Sequence, residues 1–329
     1  MNVHVRNSCL HAVNVVALGF AVTSSATLYA QTWPSAPVRV VVNFPPGGVA
    51  DALARAIAPP LTQSLRQVVV VENKGGAAGN IGAEAVARAP NDGHTLLMSP
   101  GSPISINPLI YAKMAFDPER DLMPVAAVAR ALVYLMALPS MPANNLPQFV
   151  SLLKSNPGRF SYGSPGPGSS PHLAGELFKQ RLGIDAAHIP YRGAGPALTA
   201  FLGGEVQFMF DPGPGLRYVR EGKLKLLGVG SLKRAPQAPD TPTLAESGLP
   251  GFDADTLFGL YARAGTAPHI VSQLHGEIAK ALRNARVLEV IDAFGAQPAP
   301  ISREEFARLM KQERENFAPL IKSIGLRVE

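Results

Sequence analysis

The sequence has almost no cysteine: Cys9 is the only one in 329 residues. It precedes the N-terminal apolar run, whereas a lipid-modified cysteine would follow such a run. Removal of an N-terminal segment that contains Cys9 leaves a chain without thiols, which excludes disulfides, cysteine nucleophiles and thiolate metal sites. The later histidines show no helical or hairpin ligand spacing, so we predict no metal and no other cofactor. They are His94, His172, His188, His269 and His275.

A long apolar run is also missing. The run over residues 13–22 is about half of the roughly 20 residues that a membrane-spanning helix needs. One basic residue, Arg6, precedes it, and small residues follow it as far as Ala30. This order is typical of a secretory signal peptide, so we predict a signal peptide over residues 1–30 that is cleaved near Ala30.

The chain also lacks clusters of charged residues. Charged residues make up 16% of the chain, and 30 Lys and Arg stand against 24 Asp and Glu, a net charge of +6. The basic residues are scattered, so nucleic-acid binding is not indicated. The length and the 47% hydrophobic content predict a sizeable core in two lobes.

Nucleotide motifs and the usual hydrolase motif are missing too. Gly76, Gly79 and Gly82 are not spaced as in the dinucleotide fingerprint, and Lys74 precedes these glycines instead of following them as in a P-loop. No Gly-x-Ser-x-Gly elbow occurs. A secreted α/β hydrolase stays open as an alternative, with Ser169 or Ser170 as nucleophile and His172 as base. The ordinary role of a serine at this position is to cap a helix.

Alternating strands and helices are what the sequence does contain. This alternation predicts an α/β fold with largely parallel sheets. Pro59-Pro60 predicts a break in the first helix, with a second short helix over residues 61–66. The predicted strands are 38–42, 68–72, 94–99, 125–137, 160–163, 187–190, 206–211, 224–228 and 256–262. The predicted later helices are 83–89, 146–155, 172–182, 197–202, 270–284, 285–294 and 303–324.

Two glycine-rich turns are the strongest functional signal. Residues 45–51 and 74–82 each follow a short β-branched run and lead into a predicted helix. Such turns present free backbone N–H groups and the positive end of the helix dipole to an anion. A carboxylate or phosphate could therefore bind there without a cationic side chain.

Three strand-end positions have two interpretations each. Asp51 fits a helix start, where a carboxylate gains roughly 0.3 to 1 kcal/mol from the dipole, and also a catalytic acid. Asp211 fits turn chemistry and a side chain that faces a cleft. Tyr191 and Arg192 precede Gly193 in a similar turn, which fits the side of an α/β lobe where ligands bind, while Arg192 fits equally an ion pair across the surface.

At these residues the chain resembles the extracytoplasmic solute receptors of the tripartite tricarboxylate transporters, the Bug family, over essentially all of the predicted mature sequence. The matching segments, as they stand in this sequence, are Phe44-Pro45-Pro46-Gly47-Gly48 with Asp51 and Ala54-Arg55, Val71-Glu72-Asn73, Asn80-Ile81-Gly82-Ala83-Glu84, Asp92-Gly93-His94-Thr95-Leu96-Leu97, Phe116-Asp117-Pro118, Ser164-Pro165-Gly166, His172-Leu173-Ala174-Gly175-Glu176, Pro190-Tyr191-Arg192-Gly193 and Pro242-Thr243-Leu244-Ala245-Glu246-Ser247-Gly248.

The resemblance implies a type II periplasmic binding-protein fold, with two α/β lobes joined by crossing hinge strands. We expect lobe I at residues 31–130 and 252–329 and lobe II at residues 131–251. The implied function is that of a monomeric periplasmic receptor, not an enzyme, which captures a small carboxylate and delivers it to a transmembrane permease. One wall of the implied site is Phe44, Gly47, Gly48, Ala50, Asp51, Ala77, Ala78, Gly79 and Asn80. The other is Ser164, Gly166, Ser169, His172, Tyr191, Gly193 and Asp211.

Four positions depart from the family pattern. Ala50 replaces a frequent Ser or Thr, and Val49 is bulkier than the usual residue. Leu257 replaces a frequent Trp, and Ala200 a frequent Asp. We expect the first two to alter ligand preference and none of the four to alter the fold.

Overall fold

The structure is a computed structural model that describes residues 33–329. The predicted signal peptide lies outside the described residues. The strands are β1 (Val38–Val42), β2 (Val69–Asn73), β3 (Thr95–Pro100), β4 (Leu122–Ala131), β5 (Tyr134–Ala137), β6 (Ser161–Ser164), β7 (Ala187–Pro190), β8 (Phe208–Asp211), β9 (Lys225–Val229), β10 (Thr256–Arg263) and β11 (Ala296–Pro298).

Helices fill the connections between these strands. They are α1 (Val49–Leu65), α2 (Asn80–Ala87), α3 (Ser102–Ser105), α4 (Asn107–Ile110), α5 (Pro118–Asp121), α6 (Leu146–Lys154), α7 (Ser170–Leu182), α8 (Ala194–Leu202), α9 (Leu216–Arg220), α10 (Pro268–Ala281), α11 (Ala285–Ala293) and α12 (Arg303–Ser323), and a short 3-10 turn at Ala77–Gly79 precedes α2.

The strands form two sheets. One has six strands in the order β11-β4-β10-β3-β1-β2, and the other has five in the order β7-β6-β8-β5-β9. The predicted parallel pairing holds for β1 with β2 and β3, and for β6 with β7 and β8. β10 and β5 are antiparallel to their neighbours, which the alternation did not predict.

β4, β5 and β10 belong to the two places where the chain passes between the sheets, and the short β11 adds a further antiparallel pairing with β4. The single strand predicted over residues 125–137 is in fact two: β4 ends in the six-stranded sheet and β5 begins in the five-stranded one. The chain returns after β9 and enters the six-stranded sheet again at β10. A continuous apolar run hides this division, because both strands are buried.

Two details of the first βα unit differ from the prediction. The Val68 and Val70 side chains are 55% and 47% exposed, because β2 is an edge strand and not a buried one. α1 is also continuous, with Pro59 and Pro60 inside it, so the predicted break is wrong. Ile57 and Leu61 are buried on either side of the two prolines, and this packing keeps one helical register despite the lost hydrogen bonds.

α12 packs against the cores of both sheets. Phe306 and Met310 pack with Tyr261 of the six-stranded sheet. Phe317 and Leu320, about two to three turns after Met310, share a hydrophobic cluster with residues of the five-stranded sheet. The expected lobe boundaries assign all of α12 to lobe I, and they stay a prediction.

Two Gly→Ala substitutions should have opposite effects on stability. A Cβ at Gly259 in β10 would touch the Phe306 ring and lie 2.8 Å from the Ala126 carbonyl oxygen, whereas a Cβ at Gly276 in α10 meets nothing within 4 Å. We expect Gly259→Ala to cost about 1 to 3 kcal/mol through overpacking. Gly276→Ala should add about 0.5 to 1 kcal/mol through helix propensity. Thermal unfolding of both variants checks this, and equal shifts of the midpoint would contradict the packing of β10 on α12.

Candidate functional site

A cavity of about 70 Å³ lies where the carboxyl ends of strands from both sheets meet. One water needs roughly 10–15 Å³ on the same measure, so the space suits a small molecule. The lining residues come from the segments after β1, β3, β6, β7 and β8 and from β10. They are Phe44, Pro45, Pro46, Gly48, Val49, Ala50, Pro100, Ser102, Pro165, Ser169, Ser170, Pro171, Gly193, Ala194, Gly195, Pro196, Pro212, Thr256 and Phe258.

The first glycine turn brings the start of α1 to this cavity. Gly48 is the N-cap residue and has no capping side chain. The first backbone bond of the helix is donated by the Ala52 N–H to the Gly48 carbonyl, 3.0 Å away. The preceding N–H groups, those of Val49, Ala50 and Asp51, therefore have no helical acceptor. The predicted free donors are thus present at this turn.

Two further helices begin at the same cavity, from the five-stranded sheet. α7 starts after Ser169, and α8 starts after Gly193, whose N–H donates to the Pro165 carbonyl. The first residues of both helices line the cavity. Three helix N-termini thus converge on one space, and their dipoles all favour a negative charge there.

The lining contains no charged side chain, and its hydroxyls fall into two groups. Ser169 Oγ donates to the Gly166 carbonyl (2.7 Å), and Thr256 Oγ1 donates to Glu313 Oε1 (3.0 Å), so both are engaged. Among the hydrogen bonds of residues 33–329, none involves Ser102 Oγ or Ser170 Oγ. These two hydroxyls can serve a ligand.

The structure brings five of the predicted site residues to the cavity. They are Phe44, Gly48, Ala50, Ser169 and Gly193.

Other predicted residues support the lining without being part of it. Gly47 donates its N–H to Asp51 Oδ2 (3.0 Å), and Arg55 donates to Asp51 Oδ1 (2.9 Å). Burial raises the pKa of Asp51, but these bonds outweigh it and hold the pKa below its usual value. Both carboxylate oxygens of Asp51 are engaged in fixing the turn.

The second glycine turn packs against the first and is not part of the cavity lining. Asn43 Nδ2 donates to the Gly79 carbonyl (3.2 Å), and Asn107 Nδ2 donates to the Ala78 carbonyl (3.1 Å) and to Asn80 Oδ1 (2.7 Å). Ala77 and Ala78 have φ near +47°, a conformation that non-glycine residues rarely adopt. Their role in ligand binding stays a prediction.

Two stacked histidines lie beside the loop that carries Ser164 and Ser169. The His172 and His188 ring centroids are 3.9 Å apart, and Ser164 Oγ lies 2.7 Å from His188 Nε2. Gly168 donates its N–H to His172 Nδ1 (3.0 Å). Burial lowers the pKa of His172 to about 4 and that of His188 to about 3, so both are neutral near pH 7.

These contacts do not support the hydrolase alternative. Ser169 accepts the His172 backbone N–H at 3.4 Å, which makes it the N-cap of α7. The acceptor nitrogen Nδ1 of His172 is already bonded to the Gly168 N–H, and among the described residues no hydrogen bond joins Ser169 Oγ or Ser170 Oγ to the imidazole. The histidine pair and its contact with Ser164 were missed, because residues 172 and 188 come together only through the sheet.

The remaining predicted residues lie next to the lining. The Tyr191 N–H donates to the Ser164 carbonyl (2.9 Å), and the Tyr191 hydroxyl donates to Glu205. The Gly166 carbonyl accepts the Ser169 hydroxyl.

Asp211 precedes Pro212, is fully buried and accepts the Gly213 and Gly215 N–H groups at 2.7 and 2.8 Å through Oδ1. Its Oδ2 has no partner among the described residues.

Several lining residues were not predicted as site residues, notably Pro100, Ser102, Thr256 and Phe258. Thr256 and Phe258 were predicted only as part of an apolar crossing strand, and no local motif distinguishes them from core residues. Pro100 ends β3, and the position of a strand end beside a turn is the one signal that could have identified it.

Buried acids surround the point where the chain returns to the six-stranded sheet. Glu313 of α12 accepts from Ser105 (2.6 Å) and from Thr256, and burial raises its pKa to about 7. Burial and Asp253 raise the pKa of Asp255 to about 8, with Arg130 4.0 Å away.

No group of three ligating side chains that could hold a metal ion occurs among residues 33–329. In the same part of the chain, no helix combines the length and apolarity that membrane crossing requires.

The two sheets, their crossing strands and the shared cavity define a solute-binding protein of the type II periplasmic binding-protein fold. The family described as "Tripartite tricarboxylate transporter family receptor" (TctC) matches residues 53–326. The chain belongs to this family of solute receptors.

Individual relatives agree with this assignment. The protein BugT of Bordetella pertussis is 34% identical over 307 residues, 93% of this chain and 94% of BugT. The solved structure of Rhodopseudomonas palustris Rpa4515 with adipate has a TM-score of 0.85 and 32% identity, covering 90% of this chain and 99% of that one. MatC from the same organism, with bound malate, has a TM-score of 0.81 and 32% identity, covering 88% and 99%.

Asp211→Asn should change the pH dependence of stability. Burial raises the folded-state pKa of Asp211 from 3.8 to about 6, opposed by the Gly215 and Gly213 N–H groups. The protonated form therefore stabilises the fold below about pH 4, and this contribution is lost as the pH rises through about 6. Asn stays neutral at every pH. The unfolding midpoint of the variant minus that of the parent should therefore rise between about pH 4 and 6 and stay constant above that.

Asp211→Ala provides the contrast. It removes the acceptor of two buried N–H groups and should cost about 1 to 3 kcal/mol at every pH. A difference between Asp211→Asn and the parent that stays flat from about pH 4 to 7 would contradict the raised pKa of Asp211.

Proposed function

We propose that this protein is a periplasmic receptor that holds a small carboxylate between two lobes and delivers it to the permease of a tripartite tricarboxylate transporter. The observation that carries the proposal is the convergence of α1, α7 and α8 on one cavity without a charged side chain. Adipate and malate in two related structures support a carboxylate as the ligand class.

The binding energy would come from backbone donors. A hydrogen bond to a charged group contributes about 1.5 to 3 kcal/mol net, so two or three N–H groups can hold one carboxylate. The N–H groups of Val49, Ala50, Ser170 and Ala194 are placed for this at the three helix starts. Gly47, Asp51, Ser164, Gly166, His172, Tyr191 and Asp211 would keep these starts in position. The second turn would support the first.

Closure of the lobes is the proposed signal to the permease. A ligand that touches both lobes stabilises the closed state by its difference in affinity between the two states. We propose lobe I at residues 31–130 and 252–329 and lobe II at 131–251, with the receptor acting as a monomer without catalysis. Secretion by a cleaved signal peptide belongs to the same proposal.

Gly48→Val tests the site with little risk to the fold. Gly48 has φ −82° and ψ 173°, which any residue can adopt, and an added Cβ meets only the Pro45 carbonyl at 3.8 Å. A valine there would fill part of the cavity. In a thermal-shift screen of small carboxylates, a ligand at about 100 times its dissociation constant adds roughly 2.7 kcal/mol of stability to the parent. We expect this gain to fall by more than half in Gly48→Val.

Ala52→Val is the matched control, since Ala52 lies on the same helix outside the lining. Gly79→Val is a poorer test, because its Cβ would lie 2.8 Å from Asn43 Nδ2 and the fold itself would suffer. A carboxylate that stabilises Gly48→Val as much as the parent would contradict binding in this cavity. So would equal losses in Gly48→Val and Ala52→Val.

A further inference from the structure

We infer that the ligand carries a single carboxylate on a compact apolar body, and that Ala50 helps to select it. This inference rests on the proposed function and narrows it. It is carried by the composition of the cavity wall, which offers hydrogen-bond donors for one anionic group and apolar surface for the rest of the ligand.

Proline removes backbone donors from more than a third of the wall. Seven of the lining residues are prolines, and Pro100, Pro165 and Pro212 stand at or directly after the ends of β3, β6 and β8. In other α/β proteins, such strand ends present N–H groups to ligands. Proline has no N–H, so these three strand ends contribute apolar rings instead. The donors left for a ligand include the N–H groups at the starts of α1, α7 and α8 and the hydroxyls of Ser102 and Ser170.

A second carboxylate would have no counter-charge here. No Lys, Arg or His side chain lines the cavity. Two buried acids stand beside the wall: Asp211 precedes Pro212, and Glu313 accepts the hydroxyl hydrogen of the lining residue Thr256. Of the basic residues next to the lining in sequence, His172 is neutral near pH 7 and Arg192 is exposed. Burial of an unpaired charge in such surroundings is costly. A second charged group on the ligand would therefore weaken binding, whereas an apolar body gains from contact with Phe258 and the proline rings.

Ala50 and Val49 complete the apolar side next to the donors of α1. Both are almost fully buried, and both line the cavity. A serine at position 50 would add a hydroxyl without removing the backbone N–H. The substitution therefore changes the polarity of the wall and leaves the proposed anion-binding N–H groups in place. Its effect on ligand preference can thus be measured apart from its effect on carboxylate binding.

The experiment compares dissociation constants by isothermal titration calorimetry. The apolar monocarboxylates are benzoate and cyclohexanecarboxylate, the polyacids are malate, adipate and citrate, and benzamide is the uncharged analogue of benzoate. We expect at least one apolar monocarboxylate to bind at least about tenfold more tightly than every polyacid and than benzamide. Ala50→Ser should weaken its binding by roughly tenfold relative to that of malate, whose polar groups the added hydroxyl can serve. Ala52→Ser, the same change outside the lining, should alter neither.

The outcomes separate the two proposals. If a polyacid binds as tightly as the apolar monocarboxylates, or tighter, the inference is wrong and the proposed function stands. Equal binding of benzamide and benzoate overturns the single-carboxylate requirement. Equal effects of Ala50→Ser and Ala52→Ser overturn the role of Ala50. If the folded protein binds no acid from either set, the inference and the proposed function both fail.

Discussion

Backbone N–H groups without helical acceptors, at three helix starts around one cavity, are the constraint on which the rest of the structure depends. Such donors are costly to bury unless they meet an anion or water. The three helix starts meet only because α1 follows a strand of one sheet and α7 and α8 follow strands of the other. The two crossings between the sheets, β4 to β5 and β9 to β10, therefore matter for the proposed function, because they hold the two halves of the proposed anion site face to face.

The local part of this arrangement could be predicted from the sequence. A β-branched run, a glycine turn and a helix start lie within about one βα unit, and that is enough to place free N–H groups at Val49 and Ala50. The Ser169 cap of α7 was equally predictable, because a serine before a helix has a direct physical role. The family resemblance predicted the fold, which the two sheets confirm, and its pairing of the two walls stays a prediction.

What the sequence could not predict depends on contacts between distant segments. The edge position of β2 and the division between β4 and β5 follow from neighbours that a local apolar run does not reveal. The continuity of α1 through Pro59 and Pro60 follows from packing that outweighs a local rule. The His172–His188 stack joins a residue of α7 to one of β7, and it depends on the packing of α7 against the paired strands β6 and β7. These features depend on contacts between segments that are distant in sequence, and short local motifs do not reveal such contacts.

α12 limits how the two sheets can move relative to each other. Its first half packs with Tyr261, and its second half packs in the core of the five-stranded sheet. Glu313, between these halves, is hydrogen-bonded to Thr256, so the middle of the helix is tied to the crossing strand that lines the cavity. Complete separation of the sheets would expose both hydrophobic clusters, at about 25 cal/mol for each Å² of apolar surface. In the proposed lobe closure, a rotation with its axis close to α12 and β10 would keep that surface buried and would still open the space between α1 and the starts of α7 and α8.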